Sequence, residues 1–340
     1  MINFLKQISM KQTVFILGLL FLVSCNTETN KNIKMEHNNS NKIVIAHRGA
    51  SGYLPEHTLE AKAMAYAMGA DYLEQDLVLS KDDVPIVIHD IHLETVTDVA
   101  DKFPERVRED GKYYVIDFTY DELKTLSVVE RFKPETKKAV FPGRFPMGKS
   151  SFSLHSFSEE IEMIQGLNKS TGKNIGIYPE IKNPEFHRKE GKDLSKIMLE
   201  ILKNYGYKTK EDKCFVQCFD EKETKRIRKE LKSNLKLIQL LDGDFSDSSF
   251  IEIAQYADGI GPWFGTIIKG KDDNGKFIIT DLVKNAHKQG LLVHPFTFRA
   301  DAYPDYFKDF NELLETGYFV ADFDGVFTDF PDKAVDFLRK

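Results

Sequence analysis

The chain has 340 residues, 41% of them hydrophobic and 29% charged, and this ordinary globular composition excludes disorder over most of its length. Its 47 Lys and Arg against 53 Asp and Glu give a formal net charge of -6, so no overall basic field exists to attract nucleic acid. Three Cys are too few for a disulfide framework. The composition predicts a mildly acidic, core-rich protein in which a local cluster must hold any anionic ligand.

Residues 1–24 have the pattern of a bacterial lipoprotein signal peptide. Two lysines precede an apolar run, 14–23, that is too short to span a bilayer, and a Ser then leads directly into Cys25. This order resembles the lipobox, in which the Cys is lipidated and becomes the mature N-terminus. We expect export to the periplasm or cell envelope, membrane attachment only through Cys25, and a flexible tether over 25–41. The alternative is a buried N-terminal helix with an incidental Cys. A true start at Met10 is also open and would leave a more compact signal.

Short β-branched or apolar runs alternate with amphipathic stretches over residues 42–340, which is typical of parallel strands joined by helices. The strand candidates are Ile43–His47, Tyr72–Asp76, Val84–His89, Ile175–Ile181, Cys214–Cys218, Leu235–Leu240, Ala257–Gly261, Leu291–Phe296 and Gly325–Thr328. The link between the second and third candidates is too short for a parallel crossover but suits a hairpin. The third candidate therefore folds back, and eight parallel strands remain.

A helical pattern follows each of the eight parallel strands. The helix candidates are His57–Met68, Ser156–Lys169, Asp193–Asn204, Glu221–Lys232, Ser248–Gln255, Asp281–Gln289, Tyr306–Glu315 and Pro331–Leu338. Eight such units predict an α/β fold, the (β/α)8 or TIM barrel, with its active site at the carboxyl ends of the strands. An open, doubly wound sheet is the alternative. Residues 91–155 fit neither a strand nor a crossover, and their charged and turn-rich sequence predicts a small insertion lobe over the barrel mouth.

Ionisable residues gather where the first strands are predicted to end. Glu74 and Asp76 lie two apart on one strand, as do Glu180 and Lys182 on another, so each pair shares a face. The hairpin would set His89 across from Asp76. One barrel mouth then collects the following residues: His47, Arg48, Glu74, Asp76, His89, Glu180 and Lys182.

The residue types in this cluster indicate which reaction it can catalyse. Clustered carboxylates repel one another unless a divalent cation joins them, and oxygen ligands without thiolates favour Ca²⁺ or Mg²⁺ over Zn²⁺. The guanidinium and the ammonium suit a phosphate, and two imidazoles can serve as base and acid near neutral pH. Taken singly, each residue also has a structural interpretation, such as a salt bridge between Glu180 and Lys182. Taken together, they indicate metal-assisted phosphoryl transfer from an ester.

Several ordered motifs resemble the signature of the glycerophosphodiester phosphodiesterase family, and most closely its periplasmic type, which carries a comparable insertion. The motifs are His-Arg-Gly at 47–49, Pro-Glu-His-Thr at 55–58, Leu-Glu-Gln-Asp at 73–76, His-Asp at 89–90 and Pro-Glu-Ile-Lys at 179–182, with further matches at 261–263, 294–299 and 324–331. The resemblance implies a phosphoric diester hydrolase. Its expected substrates are small glycerophosphodiesters carrying choline, ethanolamine or glycerol, and its products are sn-glycerol 3-phosphate and an alcohol.

The resemblance also implies a role for each matching residue. The residues expected to hold a divalent metal, commonly Ca²⁺, are Glu74, Asp76 and Glu180; Arg48 and Lys182 are expected to grip the phosphate. In related barrels a substrate hydroxyl attacks phosphorus to give a cyclic phosphate that water opens, with His47 assigned here as base and His89 as leaving-group acid. Glu56 is expected either to orient the groups that bind the ion or to contact the ion itself. Gln217, Trp263 and either Phe298 or Arg299 are expected on the side of the substrate's glycerol or alcohol, although the aromatic rings among them fit the core or a lid equally well. Many relatives have Asn where this chain has His57, and we expect that ring to face Glu56 or solvent.

Two other functions fit parts of the pattern. A phospholipase-like barrel that cleaves intact lipids would need an exposed apolar rim, whereas the 91–155 segment is heavily charged. A surface lipoprotein that only binds ligands would have lost metal or acid-base residues, and all of them are present. The sequence therefore favours the phosphodiesterase.

Overall fold

The computed structural model describes residues 42–243 and 247–339. The predicted signal peptide, Cys25 and the tether lie outside the described residues. Within those ranges, no helix combines the length and apolar character needed to cross a bilayer.

The described residues form strands that include all nine sequence candidates. They are β1 Ile43–Ala46, β2 Tyr72–Leu79, β3 Pro85–Val87, β4 Phe132–Lys133, β5 Lys138–Ala139, β6 Gly176–Ile181, β7 Phe215–Cys218, β8 Lys236–Leu241, β9 Gly259–Pro262, β10 Ile268–Lys271, β11 Phe277–Ile279, β12 Leu292–Val293 and β13 Gly325–Thr328. The pairs β4–β5 and β10–β11 are short antiparallel ribbons that the sequence did not predict.

Eight parallel strands form a barrel in the order β12-β9-β8-β7-β6-β2-β1-β13. The two ends of this order meet through a parallel bridge between Phe298 and Thr328, where the Phe298 amide donates to Phe327 O at 2.8 Å. This closure excludes the open-sheet alternative. The strand β3 folds back antiparallel on β2 as predicted, but Ile88 rather than His89 reaches Asp76, donating from its amide to Asp76 O at 2.9 Å.

Most of the helices cover the outside of the barrel. The helices are α1 Leu59–Met68, α2 Val99–Lys102, α3 Tyr120–Leu123, α4 Phe157–Thr171, α5 Pro184–Lys189, α6 Leu194–Asn204, α7 Glu221–Lys229, α8 Asp247–Ile253, α9 Leu282–Lys288, α10 Phe310–Glu315 and α11 Pro331–Arg339, with a π-helical turn at Thr316–Val320. Of these, α2 and α3 belong instead to the 91–155 insertion. The start of α4 is a reciprocal capping box between Ser156 and Glu159. Such caps satisfy amides that the first helical turn leaves unpaired.

The barrel interior is filled below the mouth. Every residue of β2 and β6 is buried, as expected for parallel strands covered on both faces. Tyr178, Phe215 and Phe327 pack against one another inside the barrel, and the Tyr178 hydroxyl lies 2.9 Å from His294 Nδ1. These rings fill the barrel interior beneath the carboxyl ends of the strands.

Residues 91–155 follow β3 and pack around an apolar cluster of their own. Leu93, Val115, Phe118 and Leu123 are fully buried in this cluster, which continues onto Ile86 of β3. The barrel and helix layer has a separate core. The insertion thus has its own hydrophobic support, which leaves its polar residues available for contacts with the barrel mouth.

Candidate active site

The register of β2, β6 and β7 aligns three polar side chains at the barrel mouth. Asp76 pairs with Glu180, and Glu180 pairs with Gln217, so the three residues are neighbours on adjacent parallel strands. Glu74 lies two residues before Asp76 and therefore on the same face. All four side chains are buried.

The turn after β1 brings a cation to these carboxylates. Arg48 has φ 58° and Gly49 φ 84°, and a Cβ on Gly49 would lie 2.8 Å from the backbone carbon of Ala61, so only glycine fits there. The Arg48 amide donates to Glu74 Oε2 at 2.6 Å, and its Nη1 donates to Glu56 Oε1 at 3.0 Å. Glu56 thus orients Arg48, one of the two roles expected for it.

His57 lies at the carboxylates, and the expectation that it faces Glu56 or solvent was wrong. The ring is buried, and its Nε2 lies 2.7 Å from Asp76 Oδ2. Its backbone is left-handed, with φ 60°, a conformation that His tolerates better than most side chains. This turn directs the ring inward, where burial lowers the pKa of His57 to about 3, against the opposing effect of Asp76.

The donor set fits a metal ion. His57, Glu74 and Asp76 each offer a ligand atom, and these atoms lie within 4.8 Å of one another. Asp76 Oδ1 is buried without a hydrogen-bond partner. A buried carboxylate oxygen without a hydrogen-bond partner destabilises the folded protein unless a ligand binds it. The sequence predicted Glu180 instead of His57 as the third member, and the register places Glu180 directly beside Asp76.

The carboxylates also influence one another electrostatically. Burial, and then repulsion from Asp76, raise the pKa of Glu74 well above its usual value. Burial raises the pKa of Glu180 to about 8, although Lys182 opposes this effect. Asp76 behaves oppositely: burial favours its protonated form, but Lys182 and the nearby histidines outweigh burial and hold its pKa low. A cation would oppose both the burial and the repulsion that raise the pKa values of Glu74 and Glu180.

Each of the two predicted acid-base histidines has a carboxylate behind it. His47 Nδ1 lies 2.6 Å from Asp329 Oδ1, and His89 Nδ1 lies 2.6 Å from Asp90 Oδ1. A carboxylate in this position holds the proton on Nδ1 and leaves Nε2 as the reactive nitrogen.

Both rings have lowered pKa values. Burial and Arg48 lower the pKa of His47 to about 4, although Asp329 opposes them. Burial and Arg48 also lower the pKa of His89, against Asp76. The rings are therefore neutral near pH 7, a state in which Nε2 can accept a proton. A phosphate anion beside a ring would raise its pKa again.

The mouth contains a cavity of about 270 Å³ that all seven residues of the predicted cluster line: His47, Arg48, Glu74, Asp76, His89, Glu180 and Lys182. The Lys182 ammonium lies 2.7 Å from Glu180 Oε1 and 3.6 Å from Asp76 Oδ1. Arg48 Nε is buried without a hydrogen-bond partner. Two cations thus face the same cavity as the carboxylates and the imidazoles.

The substrate-side candidates divide between the cavity and the core. Gln217, Trp263 and Arg299 line the cavity; Gln217 Oε1 is buried without a partner, and Trp263 is half exposed at the rim. Phe298 is instead fully buried among core rings, 5.3 Å from Phe264 between ring centroids. Of the alternatives left open by the sequence, the structure places Phe298 in the core and Arg299 at the cavity.

Sequence reasoning missed the residues behind the histidines. Asp90 and Asp329 stand in motifs that were recognised, and their place next to a His or in a polar turn was the available signal. Arg131 and Arg144 of the insertion bind those two carboxylates, at 2.6 and 2.7 Å. No periodicity or motif in the insertion marks these arginines.

Glu130 is a buried carboxyl group beside this network. It is 3% exposed, and its Oε2 has no hydrogen-bond partner. Burial raises the pKa of Glu130 from 4.5 to about 8; Arg144 opposes this shift, whereas Glu56 and Asp329 add to it. The side chain is therefore mostly protonated near neutral pH.

We expect Glu130→Gln to remove a pH dependence of stability. Because the pKa is raised in the folded state, the native protein binds more protons than the unfolded chain between about pH 4.5 and 8. This contribution is complete below about pH 4.5 and is lost as the pH rises through about 8, whereas an amide cannot ionise. The melting temperature of the variant relative to wild type should thus rise between about pH 5 and 9. The exposed Glu135→Gln is the control, and a pH-independent difference for Glu130→Gln would contradict the expectation.

The fold and the site together define a barrel phosphodiesterase, and the known proteins that this chain is similar to belong to the same class. The model of the glycerophosphoryl diester phosphodiesterase family matches residues 47–333, and the chain belongs to this family. It is 45% identical to the glycerophosphodiester phosphodiesterase of Haemophilus influenzae, over 95% of this chain and 96% of that one. It is 40% identical to the enzyme of the same name from Treponema pallidum, over 88% and 93% of the two chains. The family predicted from the motifs is confirmed.

A solved structure shows the same fold. A phosphodiesterase from Oleispira antarctica, solved in complex with the product sn-glycerol-3-phosphate, superposes with a TM-score of 0.60 at 20% identity and covers 88% of this chain and 97% of its own. The predicted barrel is thereby confirmed as a fold of known phosphodiesterases.

Proposed function

We propose that the protein hydrolyses glycerophosphodiesters, such as glycerophosphocholine, glycerophosphoethanolamine and glycerophosphoglycerol, to sn-glycerol 3-phosphate and an alcohol. The observation that carries the proposal is one cavity lined by three carboxylates, two imidazoles and two fixed cations. Family membership and the names of the Haemophilus and Treponema relatives support this substrate class. So does the product bound in the Oleispira structure.

A divalent metal, for which we propose Ca²⁺, would be held by Glu74, Asp76 and Glu180. It would supply charge stabilisation for the phosphoryl oxygens and draw the substrate into the site. His57 Nε2 lies 2.7 Å from Asp76 Oδ2 and helps to orient this carboxylate, whose Oδ1 has no hydrogen-bond partner. The predominance of oxygen donors favours Ca²⁺ or Mg²⁺.

Arg48 and Lys182 bind the phosphate in this mechanism. Both side chains line the cavity, and each is anchored by a carboxylate, Arg48 by Glu56 and Lys182 by Glu180. Anchoring fixes the positive charge in place before the substrate arrives, which lowers the cost of reorganisation during the reaction.

The two histidines transfer the protons. His47 accepts the proton of the glycerol hydroxyl adjacent to the ester, that oxygen bonds to phosphorus, and the bond from phosphorus to the departing alcohol breaks. His89, which takes up a proton on Nε2 when the bound phosphate anion raises its pKa, donates that proton to the alcohol. Water then opens the cyclic phosphate with the roles of the two rings reversed. The paired carboxylates Asp329 and Asp90 suit this exchange because they stabilise each ring when it is protonated.

We expect chelation to abolish release of glycerol 3-phosphate from glycerophosphocholine and added Ca²⁺ or Mg²⁺ to restore it. Without a cation, the three carboxylates that line the cavity repel a phosphate anion, and no metal charge offsets that repulsion. An enzymatic assay of glycerol 3-phosphate on dialysed protein measures the loss and the recovery. A thermal melt in chelator verifies that the protein is still folded, and full activity of that folded protein would contradict the metal role.

We further propose that the protein is exported and held in the cell envelope by a lipid on Cys25, which lies outside the described residues. Cys25→Ser removes the thiol that would carry the lipid, so the protein should move from the membrane fraction to the soluble extract. Immunoblots of the two fractions from cells measure the partition. Cys218→Ser is the control, since that thiol is buried and should leave partition unchanged. Equal partition of Cys25→Ser and wild type would refute the anchor.

A further inference from the structure

We propose that the insertion lobe, residues 91–155, supplies two positioning residues, Arg131 and Arg144, each of which holds the carboxylate behind one of the two histidines. This inference rests on the proposed function and assigns the lobe a role in positioning the two histidines. Its basis is that each arginine crosses from the lobe to the barrel mouth and ends on an aspartate that holds a histidine ring.

Arg131 acts on the His89 side. Asp90 accepts from His89 Nδ1 on one oxygen at 2.6 Å and from Arg131 Nη1 on the other at 2.6 Å. The same guanidinium donates twice to Glu56, from Nε at 2.9 Å and from Nη2 at 2.7 Å. Since Glu56 also accepts from Arg48, one arginine ties the His89 carboxylate to the residue that orients a phosphate-binding cation.

Arg144 acts in the same manner on the His47 side. Asp329 accepts from His47 Nδ1 on one oxygen at 2.6 Å, and from Arg144 Nη2 at 2.7 Å and Arg299 Nε at 2.8 Å on the other. Arg144 also donates twice to Asp301, from Nε at 2.9 Å and Nη2 at 3.1 Å. Asp329 is nearly inaccessible to solvent, so its second oxygen depends on these guanidinium groups.

Neither arginine lines the cavity, so each must act through the residues that it holds. Both hold a His–Asp pair, and Arg131 also holds Glu56. Their side chains are 17% and 5% exposed, which fixes the fork geometry that a bidentate arginine requires. A lysine has one nitrogen and cannot bind two carboxylates with the same geometry. Loss of either arginine should let the aspartate rotate, and with it the imidazole.

The lobe has a matched control for this role. Arg106 also lies in the lobe and is partly buried, but it bonds to Glu122 at 3.1 Å and to Asp117 O, both within the lobe. Arg106→Gln therefore removes an arginine that supports the lobe without removing a contact to either His–Asp pair. Comparison with Arg106→Gln separates positioning from general support of the fold.

The test is a kinetic comparison of Arg131→Gln, Arg144→Gln and Arg106→Gln on glycerophosphocholine, with thermal melts of each. We expect the first two to lower kcat by roughly 10 to 100-fold, the usual scale for residues that hold a functional side chain in place. KM should change little in Arg144→Gln, whereas Arg131→Gln should also raise KM, because Arg131 holds Glu56 and Glu56 orients the phosphate-binding Arg48. Arg131→Lys should not restore kcat. Arg106→Gln should keep wild-type kcat even where its melting temperature falls. Equal kcat losses in all three variants, or none in Arg131→Gln and Arg144→Gln, would overturn the inference.

A double-mutant cycle tests the route of the effect. If Arg131 affects kcat only through His89, Arg131→Gln should cause little further loss of kcat in a His89→Ala background. In the same way, Arg144→Gln should cause little further loss of kcat in a His47→Ala background. Additive losses in both pairs would overturn the inference. Wild-type protein that releases no glycerol 3-phosphate would instead refute the proposed function.

Proton NMR of protein with labelled histidines gives a readout that does not depend on activity. The Nδ1 protons of His47 and His89, held by aspartates at 2.6 Å, should resonate far downfield. Arg144→Gln should shift or broaden the His47 resonance and spare that of His89, and Arg131→Gln should do the reverse. Unchanged resonances in both variants would overturn the inference even for an inactive protein.

Discussion

We expect His89→Ala to lower kcat for glycerophosphocholine by at least about 100-fold while the protein remains folded, which is the usual scale of general acid catalysis. The ring lines the cavity and is about one third exposed, so its removal creates little void in the core. Its Nδ1 is held by Asp90, which leaves Nε2 to protonate the departing alcohol. Initial-rate kinetics and a thermal melt measure the two quantities.

The barrel offers a second His–Asp pair as the control for His89→Ala. His287 Nε2 lies 2.9 Å from Asp324, at the amino end of β13 and outside the cavity. His287→Ala therefore removes a comparable pair without touching the mouth, and kcat should stay near wild type. Near-normal turnover of His89→Ala would assign the leaving-group proton to another donor.

A diester with a more acidic leaving alcohol distinguishes general acid catalysis by His89 from a role in binding or positioning. A diester whose leaving alcohol is already acidic, such as a nitrophenol, requires no proton as it departs. If His89 is the acid, the variant should lose much less activity on that diester than on glycerophosphocholine. A similar loss on both substrates would indicate a role for His89 in binding or positioning.

The sequence was sufficient for the barrel because its signals are local. β-branched strands, capped helices and the short link before β3 each follow from neighbouring residues, and the eight strand–helix units then close on themselves. Glu74 and Asp76 could be assigned to one face because β2 is regular and the side-chain period of a strand is two.

The direction of side chains beyond the ends of the strands could not be predicted in this way. β12 ends at Val293, and the chain that follows it is irregular. The two-residue side-chain period of a strand therefore does not predict which of Phe298 and Arg299 faces the mouth. The structure places Phe298 in the core and Arg299 on Asp329. His57 escaped prediction for a related reason, because its left-handed backbone turns the ring toward Asp76.

Long-range support of the site was also beyond sequence reasoning. Asp329 lies 282 positions from His47 along the chain, and Arg144 lies 185 positions from Asp329. Charged residues are frequent in the insertion, and nothing local distinguishes Arg131 and Arg144 from Arg106. Only the folded contacts show which arginines leave the lobe for the barrel.

A buried charge cluster behind β2 should dominate the stability of the site. Glu160, at the start of α4, accepts from Lys62 Nζ at 3.0 Å and from Gln75 Nε2 at 2.7 Å, and it lies 2.7 Å from His155 Nε2. Lys62 also donates to the carbonyl of Glu74, so the cluster contacts the strand that carries the carboxylates. Burial opposes ionisation of Glu160, but Lys62 and His155 outweigh it and lower its pKa to about 2.

We expect Glu160→Leu to lower the free energy of unfolding by about 3 to 5 kcal/mol, because it leaves the fully buried Lys62 ammonium without its counter-charge. Lys62→Met should lower the free energy of unfolding by a comparable amount, because it leaves the buried Glu160 carboxylate without its counter-charge. The double variant should lose less than the sum of the two, since neither charge then remains unpaired. Denaturant unfolding measures all three. The exposed pair Lys189–Glu185 is the control, and Glu185→Leu should leave the free energy of unfolding close to that of wild type. Wild-type stability of Glu160→Leu would show that the cluster is not ionised, and the Lys62 ammonium would then need another partner.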